Sequence, residues 1–451
     1  MKQANNFKMD IYFHSQKQSS LYNRVKKLLI SYDWSDCSFI VNDKEFKAHK
    51  LILGISSPVF EAMFYGPLSA SHKVVITDIN PCTFQLLLNY IYTDKVDVTS
   101  IEEAYDLLYA AKKYLLDDLA SICCDYVLSN MSIDNVITVL NYPDYIQVAS
   151  LVTSARKLFC QYAKYLFQEH INEISLVCLH LILESNEINI SELKLIRHVF
   201  EWTKYYCEQN NIPNDLSSRR DVLISNGLFC LLRFKTLCLN ELNLIINDEK
   251  NLLLSDEEVV ILRATLSNKK LQKTICKLNN NYAKRGLLQI KWDLCHRAPI
   301  RSECPITINH QNCNVQSRFK SNRSILIHCL QVESQMSPFD NIYRSPNNEY
   351  CEHLRISIVC ESDNSIIKNF TYKQAVDYDS TIQIEFPDSL LIKKDTWYTI
   401  KFHWPVCSYD KYLYGVQSRD LYYCNNNIVF EFRDIATTSV GSFLKGLKFC
   451  M

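Results

Sequence analysis

The chain contains little glycine. Only 7 of its 451 residues are glycine, although tight turns often need a residue that tolerates positive φ. Helices need few glycines, so part of this shortage is expected in a helix-rich chain. Where the chain must turn between strands, we expect asparagine to substitute, because it tolerates the left-handed region better than most residues.

The chain also lacks a long hydrophobic run and an excess of charge. No stretch approaches the roughly 18 apolar residues that cross a bilayer, and the polar residues 1–10 do not resemble a secretory signal. The formal net charge is +0, whereas proteins that bind phosphate backbones are usually basic. We therefore predict neither a membrane nor a nucleic-acid partner. The 19 cysteines are expected to be reduced thiols in a cytoplasmic protein.

The motifs that carry catalysis are absent as well. The sequence has no Gly-x-Ser-x-Gly elbow, phosphate-binding loop, Gly-x-Gly-x-x-Gly fingerprint or His-Glu-x-x-His motif. It has no Cys-x-x-Cys pair that could anchor a structural zinc ion. Cys351 and Cys360 flank His353, but thiols in the core of a β-hairpin explain this pattern better than metal ligands do. We predict no catalytic residues, no cofactor and no metal site.

Residues 19–130 carry the most specific pattern. A strand at 38–41 is followed by Asn42-Asp43 as its turn. Further on, Asp78 or Asn80 should cap a helix, and residues 100–103 form a Ser-x-x-Glu capping box. Several blocks in this order resemble a BTB/POZ domain: 35–41, 46–53, 57–66, 84–93 and 107–114. The resemblance implies an α+β fold of helices with a small sheet, used for protein–protein docking.

Residues 131–268 have a helical pattern throughout. One apolar stripe comprises Leu193, Ile196, Val199 and Phe200, and residues 255–258 form a second capping box. Residues 228–242 resemble the end of a BACK domain, the all-α extension of many BTB proteins. The polar, basic residues 269–284 are a predicted linker, which would let the rest of the chain act as an independent unit.

Residues 285–451 alternate with a period of two, which is typical of antiparallel strands. Tyr398 and Trp404 should share one face of a strand and Trp397 should lie on the other. Blocks at 295–297, 395–399, 414–415 and 428–432 resemble a PHR domain, which implies an all-β antiparallel sandwich. The whole chain is thus similar to BTB–BACK–PHR proteins.

Two surfaces in the first domain are candidate contact sites. Four apolar side chains on a predicted N-terminal helix form a stripe expected at a homodimer interface: Leu21, Val25, Leu28 and Leu29. In related adaptors, a second set of apolar side chains docks a type-three cullin scaffold: Met63, Phe64, Tyr65, Leu68 and Tyr92. Amphipathic helices bury most such residues, but this helix must end at Gly66-Pro67. The acidic position of the family falls on Ala70 here, so one favourable charge is lost.

Asp36 and His49 form a candidate buried polar pair. The resemblance places them together near the dimer interface, and a buried carboxylate needs a donor or a cation beside it. A structural role that fixes a strand to a helix is the more ordinary interpretation. A groove for a partner peptide is the alternative.

These observations favour a non-catalytic adaptor. The leading hypothesis is a substrate-recognition adaptor of a cullin-RING E3 ubiquitin ligase, with a dimeric BTB domain on the cullin and an unknown protein substrate on the C-terminal domain. The alternative is a BTB scaffold protein that acts without a cullin. A transcription factor is disfavoured, because no zinc finger or basic stretch follows the BTB-like domain.

Overall fold

The computed structural model describes most of the chain in segments: residues 20–67, 73–143, 145–248, 250–267, 282–297, 305–337, 349–405, 411–417, 422–425, 428–433 and 442–450. Contacts divide the chain into two compact units. The first comprises residues 1–131 and 142–154, and the second comprises residues 132–141 and 155–451. Most of the predicted linker at 269–284 lies outside the described residues, and the predicted domain limits remain predictions.

The first unit combines helices with a small sheet, as predicted. Its elements are α1 (Leu21–Ser31), β1 (Cys37–Val41), β2 (Lys44–Ala48), α2 (Lys50–Ser56), α3 (Pro58–Tyr65), β3 (Lys73–Ile76), α4 (Pro81–Thr93), α5 (Ile101–Lys113) and α6 (Asp117–Asn130). The sheet order is β2-β1-β3. β1 pairs antiparallel with β2 and parallel with β3.

Phenylalanine rings form the centre of this unit. Phe39 on β1 contacts Phe60, Phe64 and Phe84, with ring centroids 5.7, 6.1 and 5.1 Å away. All four side chains are buried. Burial of each contributes roughly 1.5–3 kcal/mol, so this cluster fixes α3 and α4 against the sheet.

Local backbone chemistry follows the sequence with one exception. Asn42 and Asp43 make the predicted turn, both with positive φ, and the Asn80 side chain caps α4 by accepting the Thr83 N–H at 2.8 Å. Ser100 accepts the Glu103 N–H at 3.1 Å. The Glu103 carboxylate, however, accepts the N–H of Thr99 at 2.6 Å, so the predicted box is displaced by one residue.

Helices follow, as predicted. They are α7 (Val136–Asn141), α8 (Ala149–Gln161), α9 (Ala163–Glu169), α10 (Leu176–Leu183), α11 (Glu192–Gln209), α12 (Leu216–Ser225), α13 (Leu239–Ile246) and α14 (Asp256–Leu266). On α11, Ile196, Val199 and Phe200 are buried as expected, whereas Leu193 is only half-buried. The capping box at Ser255 and Glu258 is confirmed by both of its hydrogen bonds.

The C-terminal part is built from antiparallel sheets. Its strands are β4 (Asp293–His296), β5 (Ile306–Ile308), β6 (Asn314–Ser321), β7 (Ile325–Glu333), β8 (Glu349–Cys360), β9 (Ile366–Asp377), β10 (Thr381–Ile392), β11 (Tyr398–His403), β12 (Tyr412–Tyr414), β13 (Tyr422–Asn425), β14 (Ile428–Phe432) and β15 (Leu444–Cys450). The larger sheets have the orders β10-β7-β15-β4 and β13-β14-β6-β11-β8-β9.

The two larger sheets share one hydrophobic core, which makes them a sandwich. Phe430 on β14 meets Phe449 on β15 with ring centroids 5.0 Å apart. Tyr398 and Trp404 both belong to this core, and Trp397 does not. The predicted division of these three aromatic residues between two faces is therefore confirmed.

The helices and the sheets of the second unit are joined by direct contacts. The Tyr162 hydroxyl donates to the Cys450 thiol at 3.3 Å, and Lys164 pairs with Asp388 at 3.1 Å. The backbones of residues 186 and 188 bond to Gly286. Part of the structural support of the sandwich therefore comes from the helices, and its expected independence stays a prediction.

Candidate protein-interaction surface

The residues of the predicted dimerisation stripe on α1 differ in burial. Ser20 begins the helix by accepting the Asn23 N–H at 3.3 Å. Leu29 is buried, with 8% of its surface exposed, whereas Leu21 is 68% exposed. Val25 and Leu28 are half-buried. The inner end of the stripe therefore anchors α1 on its own unit, and the outer end is available to a partner.

A second apolar surface on α2 was missed by the sequence reasoning. Leu51 and Ile55 are 66% and 77% exposed, one helical turn apart on the same side of the helix. Leu53 and Gly54 are buried on the other side. The signal was present, because residues 50–56 carry apolar side chains around the whole helix and one face alone can pack on the core.

A groove of about 790 Å³ lies between α1, α2 and α4 and the start of α6. Its walls combine apolar side chains with polar groups, among them the carboxylates of Asp94, Asp117 and Asp118. The lining residues include Leu21, Tyr22, Val25, Ile52, Ile55, Tyr90, Ile91, Leu115 and Leu116. Exposed apolar side chains around a concave site are typical of protein-contact surfaces.

The predicted cullin-docking residues separate into two groups. Tyr65, at the end of α3, is 58% exposed and Met63 is half-buried. Phe64 and Tyr92 are buried, with 6% and 3% of their surfaces exposed. Phe64 belongs to the phenylalanine cluster and Tyr92 is engaged by His49, so both offer little surface to a partner, and the docking assignment stays a prediction. Leu68 lies outside the described residues, as does Ala70.

His49 fixes the junction between β2 and α2. Its Nε2–H donates to the Asp33 carbonyl at 2.7 Å, because a carbonyl can only accept. In the neutral ring Nδ1 carries no proton, so it accepts from the Tyr92 hydroxyl at 2.7 Å. The Tyr92 oxygen also accepts the His49 backbone N–H at 3.0 Å. Burial raises the pKa of Tyr92, so the hydroxyl keeps the proton that it donates.

Asp36 has a separate structural role. It is exposed, and its carboxylate accepts the Lys50 N–H at the first turn of α2, at 2.8 Å. A negative charge at this end of a helix is favourable. The prediction of a buried Asp36–His49 pair is therefore wrong, because the two side chains fix the same junction through different partners.

Among the described residues, no group of three or more His, Cys, Asp or Glu side chains has the geometry to hold a metal ion. The cysteines of the same segments are free thiols, and burial raises the pKa of Cys37 to about 12. No helix in these segments is both long and apolar enough to cross a membrane.

The first unit matches the family model of the BTB/POZ domain over residues 25–131. BTB/POZ domain-containing protein 6 of Xenopus laevis is 30% identical over 213 residues, which cover 46% of this chain and 40% of that protein. The human protein 6 is 29% identical, with 39% of its length covered. Human BTB/POZ domain-containing protein 3 is 27% identical over 213 residues.

A solved BTB domain, that of zebrafish PATZ1, is 22% identical to this chain, with a TM-score of 0.22. It covers 28% of this chain, and 98% of the solved chain is matched. The chain spans 39–40% of the length of the curated relatives named above. Because the BTB/POZ family model matches residues 25–131 and helices and antiparallel strands follow them, the chain is a multidomain protein whose residues 25–131 are a BTB/POZ domain.

Proposed function

We propose that this protein is a substrate-recognition adaptor of a cullin-RING E3 ubiquitin ligase. BTB/POZ proteins are often protein-interaction adaptors, and the exposed apolar surface on α1, α2 and the end of α3 is the observation that carries this proposal. Such an adaptor is non-catalytic and holds a substrate near the ubiquitin-transfer machinery. The cytoplasmic location predicted from the thiols fits this role.

Self-association is the first part of the proposal. Leu21 on α1 and Ile55 on α2 both line the groove and are exposed, so a second copy could bury them. We expect light scattering of the full chain to give the mass of a dimer. A charge in the interface should disrupt it, and Leu21→Asp with Ile55→Asp should give monomers. Val260→Asp is the control, since Val260 is 62% exposed on α14 in the other unit. A monomeric wild-type chain at tens of micromolar would refute this part.

Docking of a type-three cullin is the second part. Tyr65 is the exposed aromatic residue of the predicted site, and Tyr65→Ala should weaken binding by more than about tenfold, or 1.4 kcal/mol. Tyr422→Ala is a matched control, since Tyr422 is 60% exposed on β13. Ala70→Glu should strengthen binding, because it restores the acidic position of the family, and Leu68→Asp should abolish it. Equal effects of the Tyr65 and Tyr422 changes would place the contact elsewhere.

A scaffold role without a cullin is the second candidate. It is favoured by Ala70, because a charge-assisted hydrogen bond contributes about 1.5–3 kcal/mol and alanine cannot make it. In this case the BTB/POZ domain would dimerise and recruit other proteins directly. A binding experiment with the cullin separates the two candidates, because the adaptor should bind it and the scaffold should not.

Partner capture is the third part, and we assign it to the C-terminal sandwich. The resemblances to BACK and PHR domains support this assignment, with the helices as a spacer. Because the helices and the sandwich form one compact unit, residues 132–451 are the fragment to use for capturing the unknown substrate. Partners that bind only residues 1–131 would contradict the assignment.

A further inference from the structure

The outer face of the six-stranded sheet is a candidate binding surface. The side chains of Phe319, Ile400 and Phe402 point inward to the core, so the alternate residues of β6 and β11 point outward. The contacts described above join the helices to β10, to β15 and to Gly286, which precedes β4. These contacts involve the side of the four-stranded sheet and leave the outer face of the six-stranded sheet as a separate surface.

One end of this face is a cluster of ion pairs around Trp397. The cationic groups of Arg318, Lys320 and Arg433 lie 5.1, 5.1 and 4.9 Å from the centre of its ring. Arg318 binds Glu361 through two of its nitrogens. Glu431 accepts from both Lys320 and Arg433, at 2.9 and 2.7 Å. Each cation of the cluster therefore has a carboxylate partner, and the cluster keeps one net positive charge.

A strip of three unpaired cations continues beside that cluster. It consists of Lys401 on β11, Arg355 on β8 and Lys373 on β9, all exposed. None of the three is within ion-pair distance of a carboxylate of the described residues. A chain with net charge +0 thus carries, on one face, three positive charges that have no ion-pair partner among the described residues.

The strand register places these cations on a diagonal. Lys401 is opposite Ser357, which is two residues from Arg355 on the same face of β8. Arg355 is opposite Thr371, which is two residues from Lys373 on β9. Diagonal neighbours on one face of a sheet are about 7–8 Å apart. His403 lies opposite Arg355 and His353 opposite Lys373, so the neighbouring positions add no negative charge.

Two carboxylates limit the strip at its outer end. Glu349 and Asp377 are paired at the end of the β8–β9 hairpin. Asp377 is four residues from Lys373 on β9, and Glu349 is four residues from His353, which lies opposite Lys373. Four residues of a β-strand span about 13 Å. The two carboxylates are too far away to neutralise the strip, but they would repel an acidic partner that extended past it. The strip therefore has a defined length as well as a defined charge.

We propose that Lys401, Arg355 and Lys373 bind an extended acidic segment of a partner protein. Alternate side chains of an extended chain are about 6.6 Å apart, which matches the diagonal spacing. A segment with carboxylates at alternate residues can therefore place one beside each cation. This inference rests on the proposed role of the C-terminal sandwich in partner capture, and it supplies the chemistry of that partner.

The same face is less suited to nucleic acid. Single-stranded nucleic acid is held by aromatic side chains on which the bases stack, in addition to basic groups. Trp397 lies beside the strip, but three cationic groups already surround its ring.

The test measures binding of a fluorescent peptide in which glutamate and serine alternate, using the full chain and fluorescence anisotropy. The wild-type chain should bind it, and affinity should fall as salt rises. The triple change Lys401→Gln, Arg355→Gln and Lys373→Gln should reduce affinity by more than about tenfold. A peptide of the same composition with its glutamates in one block should bind more weakly.

The matched control changes Lys157, Lys250 and Lys394 to glutamine, because these three lysines are exposed elsewhere. It should leave affinity unchanged. A photo-crosslinker in the alternating peptide should label β8, β9 or β11 of the wild-type chain, a result that does not depend on the folding of any variant. Absent binding, an equal loss in the control, or labelling confined to other segments would overturn the proposal. So would tighter binding of an oligothymidylate than of the peptide.

This test is separate from that of the adaptor role. If captured partners bind residues 132–451 but the acidic peptide does not bind, the inference fails and the proposed function stands. If the peptide binds the strip but no cullin binds the chain, the inference stands and the proposed adaptor function fails.

Discussion

The most informative perturbation is the removal of the Arg285 guanidinium. Arg285 follows the predicted linker, and its side chain is 3% exposed beside Glu192, which is 10% exposed. Besides the carboxylate, its nitrogens donate to the carbonyls of Leu183, Ser185 and Leu231 at 2.6, 3.0 and 3.0 Å. Arg285→Met keeps the apolar stem but leaves a buried carboxylate and three carbonyls without these donors.

The expected loss is large. Breaking a buried ion pair on one side costs about 3–5 kcal/mol, a large fraction of the stability of a typical domain. Urea unfolding should show this loss in the second unit. Hydrogen exchange should report faster opening at residues 283–290, because Gly286 N–H bonds to the Asn186 carbonyl at 2.8 Å and Leu288 N–H bonds to the Asn189 side chain at 2.8 Å.

Two variants make this reasoning refutable. Lys284→Met removes a neighbouring exposed cation and should change stability by less than about 0.5 kcal/mol. Arg285→Met combined with Glu192→Met should recover much of the loss, since replacing both buried charges by apolar groups is often neutral. If Arg285→Met behaves like Lys284→Met, the segment is not fixed to the helices as described.

Further variants test the core, the sheets and a buried acid. Phe64→Ala should destabilise the first unit by about 3–5 kcal/mol in thermal unfolding, whereas Tyr65→Ala should leave its melting temperature nearly unchanged. Gly446→Ala should cost about 1–3 kcal/mol, because a Cβ there would lie 2.5 Å from the Cys295 carbonyl oxygen, while Gly286→Ala meets nothing closer than 3.6 Å. Burial raises the pKa of Glu352 in the folded protein, so the folded state favours the protonated side chain. The resulting stabilisation is fully present below the ordinary glutamate pKa of about 4.3. It is lost as pH rises through the higher folded-state pKa. The melting temperature of Glu352→Gln relative to that of the wild type should therefore increase as pH rises. A difference in melting temperature that does not change with pH would contradict this.

Local rules predicted much of the fold. The turn at Asn42-Asp43, the cap at Asn80 and the box at Ser255 depend on a few neighbouring residues, and all three form as expected. Period-two patterns likewise predicted that Tyr398 and Trp404 share one face of a strand, and both lie in the core. These features need no knowledge of distant contacts.

The candidate sites were harder to predict, because burial depends on tertiary neighbours. Nothing local distinguishes Phe64, which packs on Phe39, from the exposed Tyr65 beside it. The same holds for His49, whose hydroxyl partner Tyr92 is 43 residues away. The diagonal of cations could not be predicted either, since it depends on the register of β8 with β9 and β11.

The most direct measurement of the proposed adaptor role is a calorimetric titration of the full chain with the purified N-terminal domain of a type-three cullin. The account predicts saturable binding, with one cullin domain for each BTB/POZ domain and weaker binding for Tyr65→Ala. Absence of heat at tens of micromolar, from a chain shown to be folded and dimeric, would contradict the adaptor role and favour the cullin-independent scaffold.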